Sequence, residues 1–268
     1  MQENLWGYSK RLDFVDRHCG NEFGTRDISV LDVGCGNGSQ LAIPLAKRGY
    51  RVTGIDPHAA SIERARQFTG AKFVCGFSSS LCEQFDVVVI SEVLEHLHDP
   101  EALLRDCLRL LKTNGLLIVT VPNGYGLFEF DSRTYYGLHF DSLFDSFYAL
   151  RRKLLRKPKP QARISGSDDT SGHVQRFTLR RLRTMFSNYG LNIIDERATA
   201  FASGPFVSNT IARVPGFLKF NTLLADKLPM VLSSGWMFAL HRKEMAHLTE
   251  LSLKDNCEDK AHRQMDAI

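Results

Sequence analysis

Five short apolar runs, 28–33, 51–56, 72–75, 85–90 and 116–121, recur along the first half of the chain with helix-like or turn-like segments between them. Runs this short and this continuously apolar read as strands buried on both faces, and that alternation with helices dictates a parallel sheet covered on both sides. Segments 59–68 and 178–189 carry apolar residues at helical spacing, the second at Leu179, Leu182, Phe186 and Tyr189. A helix over 10–18 precedes the first strand, and another over 40–47 follows it, although Pro44 lies deeper than the first helical position, where proline is comfortable. Asp99-Pro100-Glu101 supplies an N-cap acid, a proline at N1 and an acid in the first turn. Leu104, Cys107, Leu108 and Leu111 continue that helix to a stop at Asn114-Gly115. Sixth and seventh strands are expected over 191–194 and 236–240. Segment 201–232 between them is apolar and punctuated by Pro and Gly.

A chain of 268 residues with 43% hydrophobic content can bury one large α/β core. The expectation is a single domain over 1–268. Residues 123–175 form an insert after the fifth strand that covers a substrate, and a polar, flexible tail runs over 243–268. No run approaches the ~18 apolar residues of a membrane span, and the first residues lack the basic-then-apolar order of a signal peptide. The six cysteines show no C-x-x-C pairing, which fits reduced thiols. A cytoplasmic protein is expected.

The turn after the first strand, "LDVGCGNGS", has glycines at 34, 36 and 38, which admit close approach of a ligand to the backbone at a helix N-terminus. A dinucleotide fingerprint would place its third glycine at 39, where this chain has serine. Asp32, two residues before the first glycine, is ill-suited to a pyrophosphate and well placed for a ligand bearing an amino group. Asp56 ends the second strand, where a carboxylate can accept both hydroxyls of a ribose.

With "VTGIDP", "FDVVVISEVLEHL" and "LKTNGLLIVTVPN" following in order, the chain resembles the class I S-adenosylmethionine-dependent methyltransferases over residues 28–123. It is similar in particular to the ubiquinone-pathway O-methyltransferase type. The resemblance implies a Rossmann-like, seven-stranded, mostly parallel sheet with helices on both faces, and S-adenosyl-L-methionine as cofactor. It places Gly34, Gly36 and Gly38 beside the methionine part, with Asp32 nearby, and Asp56 on the ribose. The family's Gly-Asp after the third strand is here Gly76-Phe77. The adenine then depends on stacking against Phe77 and on backbone and Ser78 contacts.

The stretch "SEVLEHLHDP" places Glu92, Glu95, His96 and His98 at the end of the fourth strand. Turned helically, Glu92, Glu95 and His96 share one face, and two carboxylates with an imidazole suit Mg²⁺ or Mn²⁺. In the resemblance Glu92 can instead contact the cofactor edge, while Glu95 and His96 brace the site wall or move protons. Two subfamilies use this motif for a metal, and one of them takes a further histidine from the position matched here by His173. Three readings stay open: a metal site of Glu92, Glu95, His96 and His173; His173 as a metal-free general base, with His96 and Glu95 beside it; and purely structural roles. His98 is expected to face solvent. A hydroxyl nucleophile needs a base or a Lewis acid, so the histidines favour O-methylation.

Residues 151–163, "RRKLLRKPKPQAR", hold seven Lys/Arg and no acid. With the apolar segment 214–238 they fit a small-molecule or lipid- or glycan-linked acceptor, with peripheral membrane contact as one form. RNA 2′-O-methylation and a non-catalytic cofactor-binding partner are the alternatives. Nucleic acid is disfavoured, because net charge is only +4 and no stacking array accompanies the run. The oligomeric state is left open.

Overall fold

In the computed structural model of the chain the described residues are 7–25, 27–127, 173–204 and 216–243, with isolated positions between 128 and 146 and between 205 and 215. Strands β1 (Ser29–Val33), β2 (Arg51–Asp56), β3 (Lys72–Cys75), β4 (Phe85–Ser91), β5 (Leu111–Pro122), β6 (Leu191–Ala198) and β7 (Gly235–Arg242) form one sheet in the order β3-β2-β1-β4-β5-β7-β6. The first five are parallel, in register Val30↔Val52 and Val30↔Val87. β7 runs antiparallel to β5 and β6, with Val119↔Phe238 and Ala198↔Trp236 paired. The expected mostly parallel, Rossmann-like sheet is the one observed.

Period-two alternation along these strands feeds two cores. Val88, Ile90, Leu117, Val119, Trp236 and Phe238 face one layer, which holds helices α4 (Pro100–Leu110) and α5 (Leu179–Asn188). Val87, Val89, Leu116, Ile118, Met237 and Ala239 face the other, which holds α1 (Tyr8–Phe23), α2 (Ala42–Lys47) and α3 (Ala59–Ala65). Chain order reverses between β1 and β4, so the crevice at their carboxyl ends is the topological switch point where α/β sheets place ligands. The glycine turn after β1 and the acid–histidine stretch after β4 therefore stand side by side.

Several boundaries differ from the sequence reading. α1 extends from Tyr8 to Phe23, and α3 stops at Ala65. α2 begins at Ala42, so Pro44 is its third residue. There its missing N–H is one that no helix satisfies anyway, and nothing is lost. Asp99 caps α4 as expected, its side chain accepting from Ala102 N at 2.9 Å. That helix ends at Leu110 rather than at Asn114, and β5 starts at once. The Arg242 guanidinium, reaching across from β7, donates to the carbonyls of Leu108 and Leu111 and caps the helix end. Thr178 caps α5, accepting from Arg181 N at 3.2 Å. A sixth helix, α6 (Phe217–Lys227), occupies the segment read only as apolar and punctuated. Most of the expected insert, including the basic run 151–163, lies outside the described residues, as does the tail from 244.

Candidate active site

The glycine turn is shaped by its neighbours as much as by its ligand. Gly34 has φ +74°, and a Cβ on it would lie 2.5 Å from Val93 Cγ2, so only glycine fits against the segment leaving β4. Gly36 and Gly38 also sit at positive φ, and the turn closes through Gly38 N–H donating to the Cys35 carbonyl at 2.9 Å. Asp56, at the end of β2, braces the turn: its Oδ2 accepts from Gly36 N at 2.9 Å and its Oδ1 from His58 N at 2.8 Å. A carboxylate has about four lone-pair sites, so acceptor capacity is left for a ligand's hydroxyls. Asp32 is buried at 3% exposure, and its Oδ2 accepts from Ala42 N, the first residue of α2, at 3.1 Å. Burial pushes its pKa up to about 7. The nearby Asp56 charge adds to the rise, and the Ala42 N–H and Arg11 oppose it.

Phe77 follows Gly76 at the end of β3 and is 68% exposed. Ser78, by contrast, is buried, and its hydroxyl lies 3.5 Å from Asp106 Oδ2 on α4, while Arg109 holds the Ser78, Ser79 and Leu81 carbonyls. The Ser78 side chain is thereby committed to α4, which leaves Phe77 as the group presented for stacking.

The stretch after β4 does not share one helical face. Glu92 adopts left-handed backbone at φ +57°, and only Leu94–His96 form a short 3₁₀ turn. The expected quartet divides: the Glu92 carboxylate is engaged by Arg11 and Thr120, near enough for its charge to be felt at Glu95 but outside the cluster of Glu95, His96 and His173. Glu92 Oε1 pairs with Arg11 Nη1 at 3.1 Å and accepts from Thr120 Oγ1 at 2.9 Å, while its N–H donates to the Thr120 carbonyl at 3.0 Å. Glu95, His96 and His173 remain together, with one ligand-capable atom from each lying within 4.8 Å of the others. The imidazoles of His96 and His173 meet edge to face, centroids 5.3 Å apart. His173 reaches this position because the Glu95 carbonyl accepts from both Val174 N and Gln175 N, each at 2.9 Å, and Gln175 Nε2 donates to the His98 carbonyl at 3.2 Å. His98 itself is exposed, as expected.

Glu95 is 1% exposed, and its Oε2 has no hydrogen-bond partner among the described residues. Burial, and next the Glu92 charge, hold its carboxyl well above the usual carboxylate range. His96 Nε2 approaches Glu95 Oε1 to 3.8 Å.

Arg11 was not singled out by the sequence reading. It is 3% exposed on the buried stripe of α1 that also carries Phe14, Val15, His18 and Cys19, and its guanidinium stacks 4.6 Å from the Tyr8 ring. An arginine at i−3 and i−4 from the first buried apolar pair is the signal that could have found it, since a helix does not place an unpaired guanidinium on its core stripe.

This sheet order with its antiparallel seventh strand, a glycine turn after β1 and a ribose-type carboxylate ending β2 together define a Rossmann-like methyltransferase fold. The chain belongs to the methyltransferase domain family, whose profile matches residues 10–196. It is 36% identical over 126 residues to the ubiquinone biosynthesis O-methyltransferase of Histophilus somni (strain 2336), a match covering 42% of this chain and 51% of that protein. It is 37% identical over 127 residues to the protein of the same name from Neisseria meningitidis serogroup A, covering 42% and 50%. The chain thus spans about half the length of the curated relatives it matches. Among solved structures, magnesium protoporphyrin IX methyltransferase from Synechocystis PCC 6803 with bound SAH superposes with a TM-score of 0.52 at 16% identity, over 88% of this chain and 84% of that one. A 1,6-didemethyltoxoflavin-N1-methyltransferase from Burkholderia thailandensis superposes with a TM-score of 0.52 at 14% identity, over 89% and 79%. These two likenesses establish the shared fold.

Proposed function

We propose that this methyltransferase moves a methyl group from S-adenosylmethionine to the oxygen of a hydroxylated acceptor, small or amphiphilic. The observation that carries the reading is the convergence of His173, His96 and Glu95 beside the glycine turn. The O-methyltransferase names of the relatives support it. The cofactor residues fit. Asp32 and Arg11 are a buried carboxylate and a buried guanidinium, matched to the ammonium and carboxylate of an amino-acid moiety. Asp56 retains acceptor sites for a ribose, and Phe77 offers a ring face for adenine.

S-adenosylmethionine, when bound, supplies a methyl already activated on a sulfonium. The chain's own task is to place the acceptor oxygen in line and to remove its proton. His173 is positioned for that removal, because its segment is hydrogen-bonded to the Glu95 carbonyl and its ring abuts His96. Glu95, whose burial disfavours the charged form, sits beside the two imidazoles as a polar neighbour.

The same three side chains also fit a divalent cation. Two imidazoles and a carboxylate oxygen are a recognised three-ligand set, and Glu95 Oε2 is an orphaned buried acceptor such an ion would satisfy. With Glu92 outside the cluster the donor set is nitrogen-rich, which suits Zn²⁺ better than the oxygen-seeking Mg²⁺ or Mn²⁺. An ion held there would lower the pKa of an acceptor hydroxyl.

One thermal-shift series on chelator-stripped protein tests both steps. S-adenosylhomocysteine alone should raise the Tm, because a ligand that binds only the folded state stabilises it by mass action. A further rise with Zn²⁺ or Mn²⁺ that is lost in His173→Ala assigns the metal role. No metal response, with methyl transfer to a hydroxylated acceptor lost in His173→Ala, assigns the base. No response to the nucleoside would sink the proposal.

A further inference from the structure

Helix α6 leaves large apolar side chains on its outer side. Its two buried residues are Asn221 and Ala225, one turn apart, whereas Phe220 and Leu223 stand 59% and 52% exposed. The exposed apolar surface continues at both ends of the helix, through Val214 before it and through Val231 and Leu232 after it. Large side chains normally take the inward stripe, so the rotation of this helix needs a cause.

The cause is Asn221. Its Oδ1 accepts from Ala202 N and its Nδ2 donates to the Ala202 carbonyl, both at 2.7 Å, while its own carbonyl accepts from Phe201 N at 3.3 Å. This paired clamp holds Asn221 and Ala225 inward and leaves Phe220 and Leu223 on the outer side. The following turn is equally fixed: Asn123 Nδ2 donates to the Val231 and Ser233 carbonyls at 2.9 Å, and Trp236 Nε1 to the Met230 carbonyl at 2.8 Å. Because Asn123 directly follows β5, the apolar surface borders the carboxyl-end rim that carries the site.

The unpaired charge on α6 is positive. Lys219 and Lys227 are exposed on α6. Asp226, the only acid between 211 and 232, is taken up by Lys10 at 2.6 Å. A second copy of the chain seated here would bring the same lysines against each other, which disfavours a symmetric contact. An anionic surface complements them. Exposed Phe, Leu and Val rimmed by lysine is the composition of a face that lies in a headgroup layer.

We propose that the face formed by Phe220, Leu223, Val231 and Leu232, with Lys219 and Lys227, docks on an anionic lipid surface. The protein lies on that surface without crossing it; no described helix is long and apolar enough to span a membrane. Docking there turns the rim of the site toward the bilayer and is independent of which acceptor is methylated.

Flotation of the full chain with vesicles tests the assignment. Binding should be strong to phosphatidylcholine vesicles containing phosphatidylglycerol, weak to phosphatidylcholine alone, and reduced by salt. Lys219→Ala with Lys227→Ala should lower the bound-to-free ratio about thirtyfold, taking about 1 kcal/mol for each lysine. Phe220→Ser with Leu223→Ser should lower it about tenfold or more. Both double variants should keep cooperative unfolding and the S-adenosylhomocysteine thermal shift, which separates loss of docking from loss of fold. Failure of the full chain to float with anionic vesicles overturns the proposal, whether the face is covered by residues 244–268 or by a second copy. Undiminished flotation of the Phe220/Leu223 variant overturns it equally.

Discussion

Asp32→Asn offers the sharpest test of how the cofactor site is built. The carboxyl is fully enclosed, and its pKa stands at about 7 against an ordinary value of 3.8. The folded state therefore binds this proton more tightly than the unfolded chain. Between about pH 4 and pH 7 the native protein carries the extra proton, so stability falls as pH rises through that window and levels off above it. A shift of about three units, at 1.36 kcal/mol each, puts the cost of the ionised form near 4 kcal/mol at pH 8, as an order of magnitude. Asparagine keeps an oxygen that can accept from Ala42 N and removes the charge. In the absence of ligand the variant should thus be more stable than wild type at pH 8, by up to roughly that amount, with the difference shrinking as pH falls and vanishing only below about pH 4. At roughly 2–4 °C per kcal/mol for a chain of this size, the gain is readable as Tm or as a denaturation midpoint. The quantity to compare is the difference between variant and wild type at each pH, in which the other titrating groups cancel. Binding of S-adenosylhomocysteine should weaken in the variant, most clearly above pH 7 where the wild-type carboxyl is ionised, because its ammonium loses its buried counter-charge. A variant that is less stable than wild type at pH 8, or that binds the nucleoside as tightly, would refute the reasoning.

Gly34→Ala should cost about 1–3 kcal/mol in strain at φ +74°, with more from the 2.5 Å approach to Val93 Cγ2. Adding Val93→Ala should recover only the steric part of the lost Tm. Phe77→Ala should weaken nucleoside affinity by about 1–3 kcal/mol if adenine stacks there, and unchanged calorimetric affinity would exclude the stack. Arg11→Ala leaves Glu92 with Thr120 as its only polar side-chain partner at this contact and should depress cofactor affinity more than stability at pH 8. Arg11→Lys should restore it only in part, because an ammonium cannot reproduce the guanidinium fork.

Much of this protein was legible before any coordinates. The strands, the glycine turn, the Asp99 cap and the Thr178–Tyr189 helix are local patterns, readable because periodicity and backbone permissiveness act within a few residues. Reading β5 as 116–121 rather than Leu111–Pro122 failed because its early start rests on Leu111 pairing with Phe85 across a register shift, a contact made only in the folded sheet. The rotation of α6 was likewise illegible, since it depends on Asn221 meeting Ala202.

At the site itself the division is the same. From sequence alone came the parallel sheet, the placement of Asp32 and Asp56, and the short list Glu92, Glu95, His96 and His173, while the switch point that locates the crevice came from the strand order. Tertiary structure decided how that list divides, because a single left-handed residue at Glu92 sends its carboxylate to Arg11 and Thr120 and leaves Glu95, His96 and His173 as the group. A left-handed step in a non-glycine residue follows from no local propensity. It is held by the buried guanidinium of a helix 81 residues earlier in the chain and by a β5 hydroxyl, contacts that exist only once the layers have packed.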